Sequence, residues 1–261
     1  MHICKKSSTF AARKITDRKM TILCIETSTQ VCSASICRDG KLLKQLISRD
    51  GGNHARLLPM YIEQLLSLSR EEGWKIDAVG LSEGPGSYTG LRIGASTAKG
   101  LCYGMNIPLI PVPTLDVLCE AARENTEYRI QSTDLLCPMI DARRMEVYTR
   151  LRVTGDGLRV TGDAVRAVVV ENEESLLMGD GIRVTDDGIN VYYFGDGAAK
   201  CQAVLTSDNW HYIPDIVPEA QYVGVIAEKT ERRISGTELA YYEPFYLKEF
   251  VAAQSHVKGL R

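Results

Sequence analysis

From Met20 onward the hydrophobic positions first follow the two-residue period of strands. Thr21–Cys24 is a short apolar run, Val31–Cys37 alternates in part, and Leu42–Ile47 follows the turn Arg38-Asp39-Gly40-Lys41. Asp-Gly between two such runs signals a hairpin, because a type I′ turn needs positive φ at both central residues. With a further turn at Thr27-Ser28-Thr29, the chain opens as a three-strand meander. The period then lengthens. Leu57, Leu58, Tyr61, Ile62, Leu65, Leu66 and Leu68 recur at helical spacing, predicting a helix from an Asn53 N-cap to about Arg70. Its apolar positions cover more than one stripe, so burial on two sides is expected. Ile76–Ser82 reads as a strand, Leu91–Tyr103 as a helix, Pro108–Val112 as a strand and Leu115–Arg123 as a helix.

The same order then recurs. Leu135–Ile140, Glu146–Val153 and Leu158–Val170 predict three strands, with Gly155-Asp156-Gly157 as a turn. A helix over Glu171–Leu177, a strand over Val191–Phe194 and helices over Ala198–Leu205 and Ala220–Arg232 follow. Two meanders, each continued by βα units, predict an α/β fold of two duplicated domains with mixed sheets. The boundaries fall at residues 20–123 and 124–261, with a C-terminal helix able to pack back on the first domain.

Composition narrows the class. Hydrophobic residues make up 44% and charged residues 25% of 261 residues, as in globular proteins, and the net charge is −2. No apolar run reaches the roughly 20 residues that span a bilayer, so no membrane segment is expected. The balance shows no broad basic surface for gripping nucleic acid unaided. Residues 1–19 depart from it: Lys5, Lys6, Arg13, Lys14, Arg18 and Lys19 face one acid, Asp17. They read as a disordered or mis-started basic extension or, less simply, a targeting segment. Eight cysteines without a CxxC pair, several inside apolar runs, read as reduced core thiols and point to the cytoplasm. Four histidines without HxxxH or HExxH spacing offer no sequence-local metal site.

Several short motifs carry candidate chemistry. The loop Gly84-Pro85-Gly86-Ser87-Tyr88-Thr89-Gly90 joins a strand end to a helix start. Free N–H groups there suit an anion; the plainer reading is a tight turn that lets two elements pack closely. Glu26, Thr27 and Ser28 after the first strand suit a hydrated magnesium and phosphate, or simply a capped turn. Gly195, Asp196 and Gly197 pass a backbone near a nucleotide or cap a helix, and Asp141 and Arg143 reach a cleft or solvent. His54 has no sequence partner and reads as a packed histidine. Gly90, Gly94 and Ala98 share one stripe, which reads as an association surface for another backbone.

These motifs in this order closely resemble the TsaB (YeaZ) family of tRNA threonylcarbamoyladenosine biosynthesis proteins. The match rests on Ile25-Glu26-Thr27-Ser28-Thr29, His54–Pro59, Gly84–Gly94 and Asp141-Ala142-Arg143-Arg144, with Phe245-Tyr246-Leu247-Lys248 similar to the family's closing Tyr-Leu-Arg. The resemblance covers about Met20 to Phe250 and implies the actin, Hsp70 and sugar-kinase (ASKHA) fold. It implies a non-catalytic subunit that binds and activates TsaD, which transfers threonylcarbamoyl to the adenosine beside the anticodon. TsaD carries an HxxxH metal motif; the equivalent stretch here, Val112–Leu118, has no histidine. The resemblance also implies a TsaE-like ATPase in the complex, tRNA reached through the complex, and a homodimer when alone. Partner contacts are expected at Leu57, Leu58, Tyr61 and Leu65 on one helix and Thr89, Arg92, Ile93 and Ala98 on the next. No tightly bound cofactor is expected; the cleft leaves room for weak nucleotide binding. The rival reading is a stand-alone enzyme of this fold, a small-molecule kinase or a metallopeptidase-like protein.

Overall fold

The computed structural model describes residues 19–125, 127–153, 164–177 and 189–248. The basic extension up to residue 18 and the Gly155-Asp156-Gly157 turn lie outside these residues, as does the first part of the strand predicted over 158–170. Lys19, the last residue of the extension, pairs with Asp39 at 3.0 Å.

Strands β1 (Thr21–Glu26), β2 (Cys32–Arg38) and β3 (Lys41–Ser48) form the predicted meander. Asp39 and Gly40 turn between β2 and β3 with φ of 56° and 68°, as the Asp-Gly signal requires. Helix α1 (His54–Glu71), β4 (Ala78–Gly84), α2 (Tyr88–Met105), β5 (Leu109–Pro113) and α3 (Thr114–Glu124) complete the first unit. Its sheet runs β3-β2-β1-β4-β5, antiparallel through the meander and parallel from β1 to β5. β1 and β2 read as unbroken apolar and small residues because helices cover both faces.

The second unit repeats this plan. β6 (Leu135–Asp141), β7 (Glu146–Thr149), β8 (Arg152–Val153) and β9 (Arg166–Val169) precede α4 (Glu173–Leu177) and β10 (Val191–Phe194). A single 3₁₀ turn at Ala199–Cys201 replaces the helix predicted over 198–205. β11 (Trp210–Ile213) follows, a strand absent from the sequence reading because its polar neighbours mask so short a run. Sheet order is β11-β10-β6-β7-β9, with β8 continuing the pairing of β7 on β6. Read outward from β6, this is the order found around β1. The duplicated α/β reading with mixed sheets is therefore correct.

Two last helices return to the first unit. α5 (Ala220–Lys229) lies on β1 and β2 and ends three residues before the predicted Arg232; α6 (Gly236–Tyr241) lies on α2 and was not anticipated. The seat of α5 is tight. Gly224 sits over two buried thiols, and a Cβ there would lie 2.4 Å from Cys37 Sγ and 3.2 Å from Cys24 Sγ. The seven cysteines among the described residues are all buried free thiols, filling the core as small apolar groups.

Gly224→Ala should lower stability by about 2 kcal/mol, the usual penalty of overpacking. Adding Cys37→Gly, which removes both the Sγ and the Cβ that lies 2.6 Å from the added methyl, should restore part of the loss in a urea titration. A double variant no more stable than the single one would show that α5 is not seated on that thiol.

Candidate functional site

The predicted motifs converge where the two sheets' strand ends face each other. β1 ends at Glu26, which is fully buried. Its Oε1 accepts hydrogen bonds from Ser28 N (2.5 Å) and Ser28 Oγ (2.6 Å). Burial pushes the Glu26 carboxyl up, the hydrogen bonds from Ser28 and Ser82 oppose this, and the Asp196 carboxylate across the cleft adds to it. Glu26 and Asp196, from opposite units, thus share one electrostatic environment.

The glycine loop is built around the neighbouring turn. Ser87 N donates to Ser28 O at 2.6 Å, and Thr27 Oγ1 donates to Gly90 O at 2.8 Å. A Cβ on Gly86 would lie 2.3 Å from Ser28 O, on Gly90 2.0 Å from Thr27 O, and on Gly94 2.4 Å from Thr27 Oγ1. These glycines let the Thr27–Ser28 turn press on the α2 backbone. Three of the loop's donors are engaged by the protein itself: Ser87 N as above, Gly84 N on Thr114 Oγ1, and Gly90 N on the capping Ser87 Oγ. Phe245 crosses the mouth, its N donating to Glu83 O at 2.7 Å and its carbonyl filling the space beside Gly84. The loop's glycines thus serve close packing.

In the second unit Gly195, with φ 104°, and Gly197 play a matching part. A Cβ on Gly195 would lie 2.2 Å from Met139 O, and Gly197 N donates to that same oxygen at 3.1 Å. Asp196 accepts from Asp141 N at 3.0 Å, and Asp141 in turn accepts from Arg143 N and pairs with Lys200. Asp196 keeps an open side, yet the cleft walls remove enough water to push its carboxyl up, against the pull of the Asp141 N–H. Asp141 and Arg143 are exposed at the hairpin tip, and Arg143 adopts φ 71°.

Other motif positions hold the fold. His54 Nε2 lies 2.9 Å from Thr29 O and 3.2 Å from Val31 O, pinning the start of α1 to the β1–β2 turn. In the stretch Val112–Leu118, Thr114, Leu115, Val117 and Leu118 are buried. Asp116 reaches the second unit, pairing with Arg150 and, at 2.7 Å, with Arg152. This ionic lock between the units was missed by the sequence reading, because its residues lie more than thirty positions apart and follow no motif.

The expected partner contacts divide. Leu58, Leu65 and Ala98 are 0–1% exposed and face the core, so they offer a partner no surface. Gly90 and Gly94 likewise face Thr27, and the small-residue stripe is an internal seam instead of an association surface. The surplus apolar positions of α1 are used inward, against the sheet and α2. Leu57, Tyr61 and Ile93 are half-buried, and Thr89 is exposed. A groove of about 460 Å³ between α1 and α2 is lined by Pro59, Ile62, Leu66, Ser96, Gly100 and Leu101, with Glu63 and Arg70 at its rim. Arg92 lies elsewhere, in a cavity on the flank of α2 away from α1.

Two outcomes test this geometry. Asp116→Ala leaves Arg150, whose side chain is 9% exposed, without this carboxylate and should cost about 3 kcal/mol in urea unfolding. Second, Glu26 is raised above the unfolded glutamate value of about 4.3, so the unfolded chain ionises first and native stability falls as pH rises through that range. Glu26→Gln removes that loss. The variant's Tm relative to wild type should climb between about pH 4 and pH 7, and a pH-independent difference would refute the assignment.

Comparison with known proteins follows from this geometry. The family model described as TsaD, tRNA N6-adenosine threonylcarbamoyltransferase, matches residues 44–254. The tRNA threonylcarbamoyladenosine biosynthesis protein TsaB of Haemophilus influenzae is 34% identical over 133 residues, 50% of this chain and 53% of that protein. TsaB of Escherichia coli K12 is 36% identical over 130 residues, 49% and 53% of the two chains. The matched segments thus span about half the length of these curated relatives. The solved structure of YeaZ from Pseudomonas aeruginosa superposes with a TM-score of 0.67 at 24% identity, covering 87% of this chain and 100% of that one, a likeness of fold. Among the described residues no helix is long and apolar enough to cross a membrane.

Proposed function

We propose, since the chain belongs to the TsaD family and stands with its TsaB (YeaZ) members, that it is the subunit that docks on a TsaD-type transferase and activates it. In this reading the complex transfers threonylcarbamoyl to the adenosine beside the tRNA anticodon. This chain supplies no catalytic group. A TsaE-like ATPase joins the complex in the cytoplasm, and the isolated chain dimerises through the face it offers the transferase.

One observation carries the docking part. Gly100 and Gly104 lie on the exposed side of α2, and a Cβ on either would meet nothing within 4 Å. Each glycine inside a helix costs roughly 1 kcal/mol relative to alanine, and the fold needs neither. Contrast Gly90 and Gly94, which the Thr27 turn demands. Bare backbone beside an apolar groove lets a partner helix approach closely, with Ile62, Leu66 and Leu101 as its apolar walls. Met60, 47% exposed on α1, adds an adaptable apolar contact.

The stand-alone enzyme reading finds less support. A kinase needs free N–H groups at the glycine loop, and those of Gly84, Ser87 and Gly90 are engaged by the protein. A peptidase needs a base beside a nucleophile, and His54 is pinned to two carbonyls.

Gly100→Leu should leave the Tm of the isolated chain unchanged or raised, since leucine is the better helix former. It should weaken capture of the transferase at least tenfold and shift the isolated chain toward monomer in sedimentation. Gly94→Ala is the control, with a lowered Tm from the clash at Thr27. A stable Gly100→Leu chain that binds its partner as wild type does would reject the groove as the docking face.

A further inference from the structure

The flank of α2 turned away from α1 carries Tyr88, Arg92, Lys99 and Tyr103. At 3.6 residues per turn these four fall within an arc of about 60°, so two cations lie between two rings along one edge of the helix. Arg92 lies 5.4 Å over the Tyr88 ring and donates to its hydroxyl at 3.3 Å. The chain after α6 runs alongside. Lys99 Nζ donates to Ala240 O at 2.7 Å and Tyr242 O at 3.1 Å, and the Tyr246 ring sits 5.1 Å from that of Tyr88.

Between α2 and this segment lies a cavity of about 520 Å³, with Tyr88, Arg92, Lys99, Tyr242 and Tyr246 in its wall. The Tyr242 hydroxyl is buried and has no hydrogen-bond partner among the described residues. Neither Arg92 nor Lys99 forms an ion pair among them; the wall's carboxylate is Glu243. Tyr103 and Tyr241 are 86% and 83% exposed, an unusual amount of ring surface to leave in water. Among the described residues Arg92 and Lys99 thus bond to a hydroxyl and to carbonyls, which leaves their charge unneutralised, and the Tyr103 ring stands in solvent.

This chemistry differs from the apolar groove on the other flank. Tyrosine faces stack on nucleobases whatever their sequence, and cations set between them neutralise a phosphodiester chain. We propose that this edge of α2, with the segment around Tyr246, is a track for single-stranded RNA. Bases stack on Tyr103 and Tyr246, and phosphates meet Arg92 and Lys99. The inference deepens the proposed function by giving this chain its own contact with the RNA substrate, and it rests on that reading for the RNA. The two surfaces adjoin at Ser96, but the residues each depends on differ, so the two can fail separately.

The test is fluorescence anisotropy of the full chain with a labelled single-stranded RNA of about a dozen nucleotides, a length such tracks cover. Arg92→Gln with Lys99→Gln should weaken binding at least tenfold. It should also flatten the slope of log affinity against log salt by about 1.4, the contribution of two phosphates. Tyr103→Ala, at a site too exposed to disturb the fold, should weaken binding at least fivefold with the slope unchanged. Polyglutamate at equal charge should fail to displace the RNA. The inference is overturned by wild-type protein that binds no RNA at low salt, or by a double variant with unaltered affinity and slope. It is overturned equally by polyglutamate competing as well as unlabelled RNA, which would mark a surface for acidic protein. The double variant should still capture the transferase. If even wild type captures none while RNA binding depends on these residues, the docking reading fails and the track stands.

Discussion

The structure depends on one close approach, the seating of the Thr27–Ser28 turn on the backbone of α2. Three glycines make it possible, because a methyl at any of them would overlap an atom of that turn. Once seated, Ser28 O takes the Ser87 N–H, Thr27 Oγ1 takes up the Gly90 carbonyl, and Glu26 is carried into a fully buried position. Packing this tight has no tolerance for added volume, so the loop's composition follows from sterics before any ligand is considered.

The second unit repeats the device in reduced form. Gly195 and Gly197 press on Met139 and Ile140 as the first loop presses on Thr27 and Ser28, and the sheet order around β6 copies that around β1. Reduction elsewhere is clear at the 3₁₀ turn that stands where α2 would be. The units are tied by Asp116 to Arg150 and Arg152, and by Lys248, which pairs with Glu146 after the chain has crossed the glycine loop at Phe245. The cleft is thus held from both sides. The larger exposed faces belong to α1 and α2, and the proposed activities of the chain lie there.

Much of this was legible along the chain. Short apolar runs broken by an Asp-Gly turn define the first meander, because strands covered on both faces read as continuous apolar and small residues and a type I′ turn admits few residues. The order of elements revealed the duplication, and the glycine spacing marked a site of close approach. The apolar surplus on α1 marked a helix with more than one packed side. What the sequence left open was which backbone fills each gap. Gly94 and Gly100 look alike in a helical run, yet one faces Thr27 and the other faces open space. Likewise Leu58 and Leu57 are neighbours, one in the core and one half-exposed, because α2 and the sheet cover only part of the α1 circumference. The Asp116 lock, the seat of α6 on α2 and the two cations set between rings beside Tyr246 arise from contacts between distant segments. Local pattern determines which residues form an element and which face is apolar; only the tertiary structure decides what each face meets, because burial is a property of the neighbours that topology supplies.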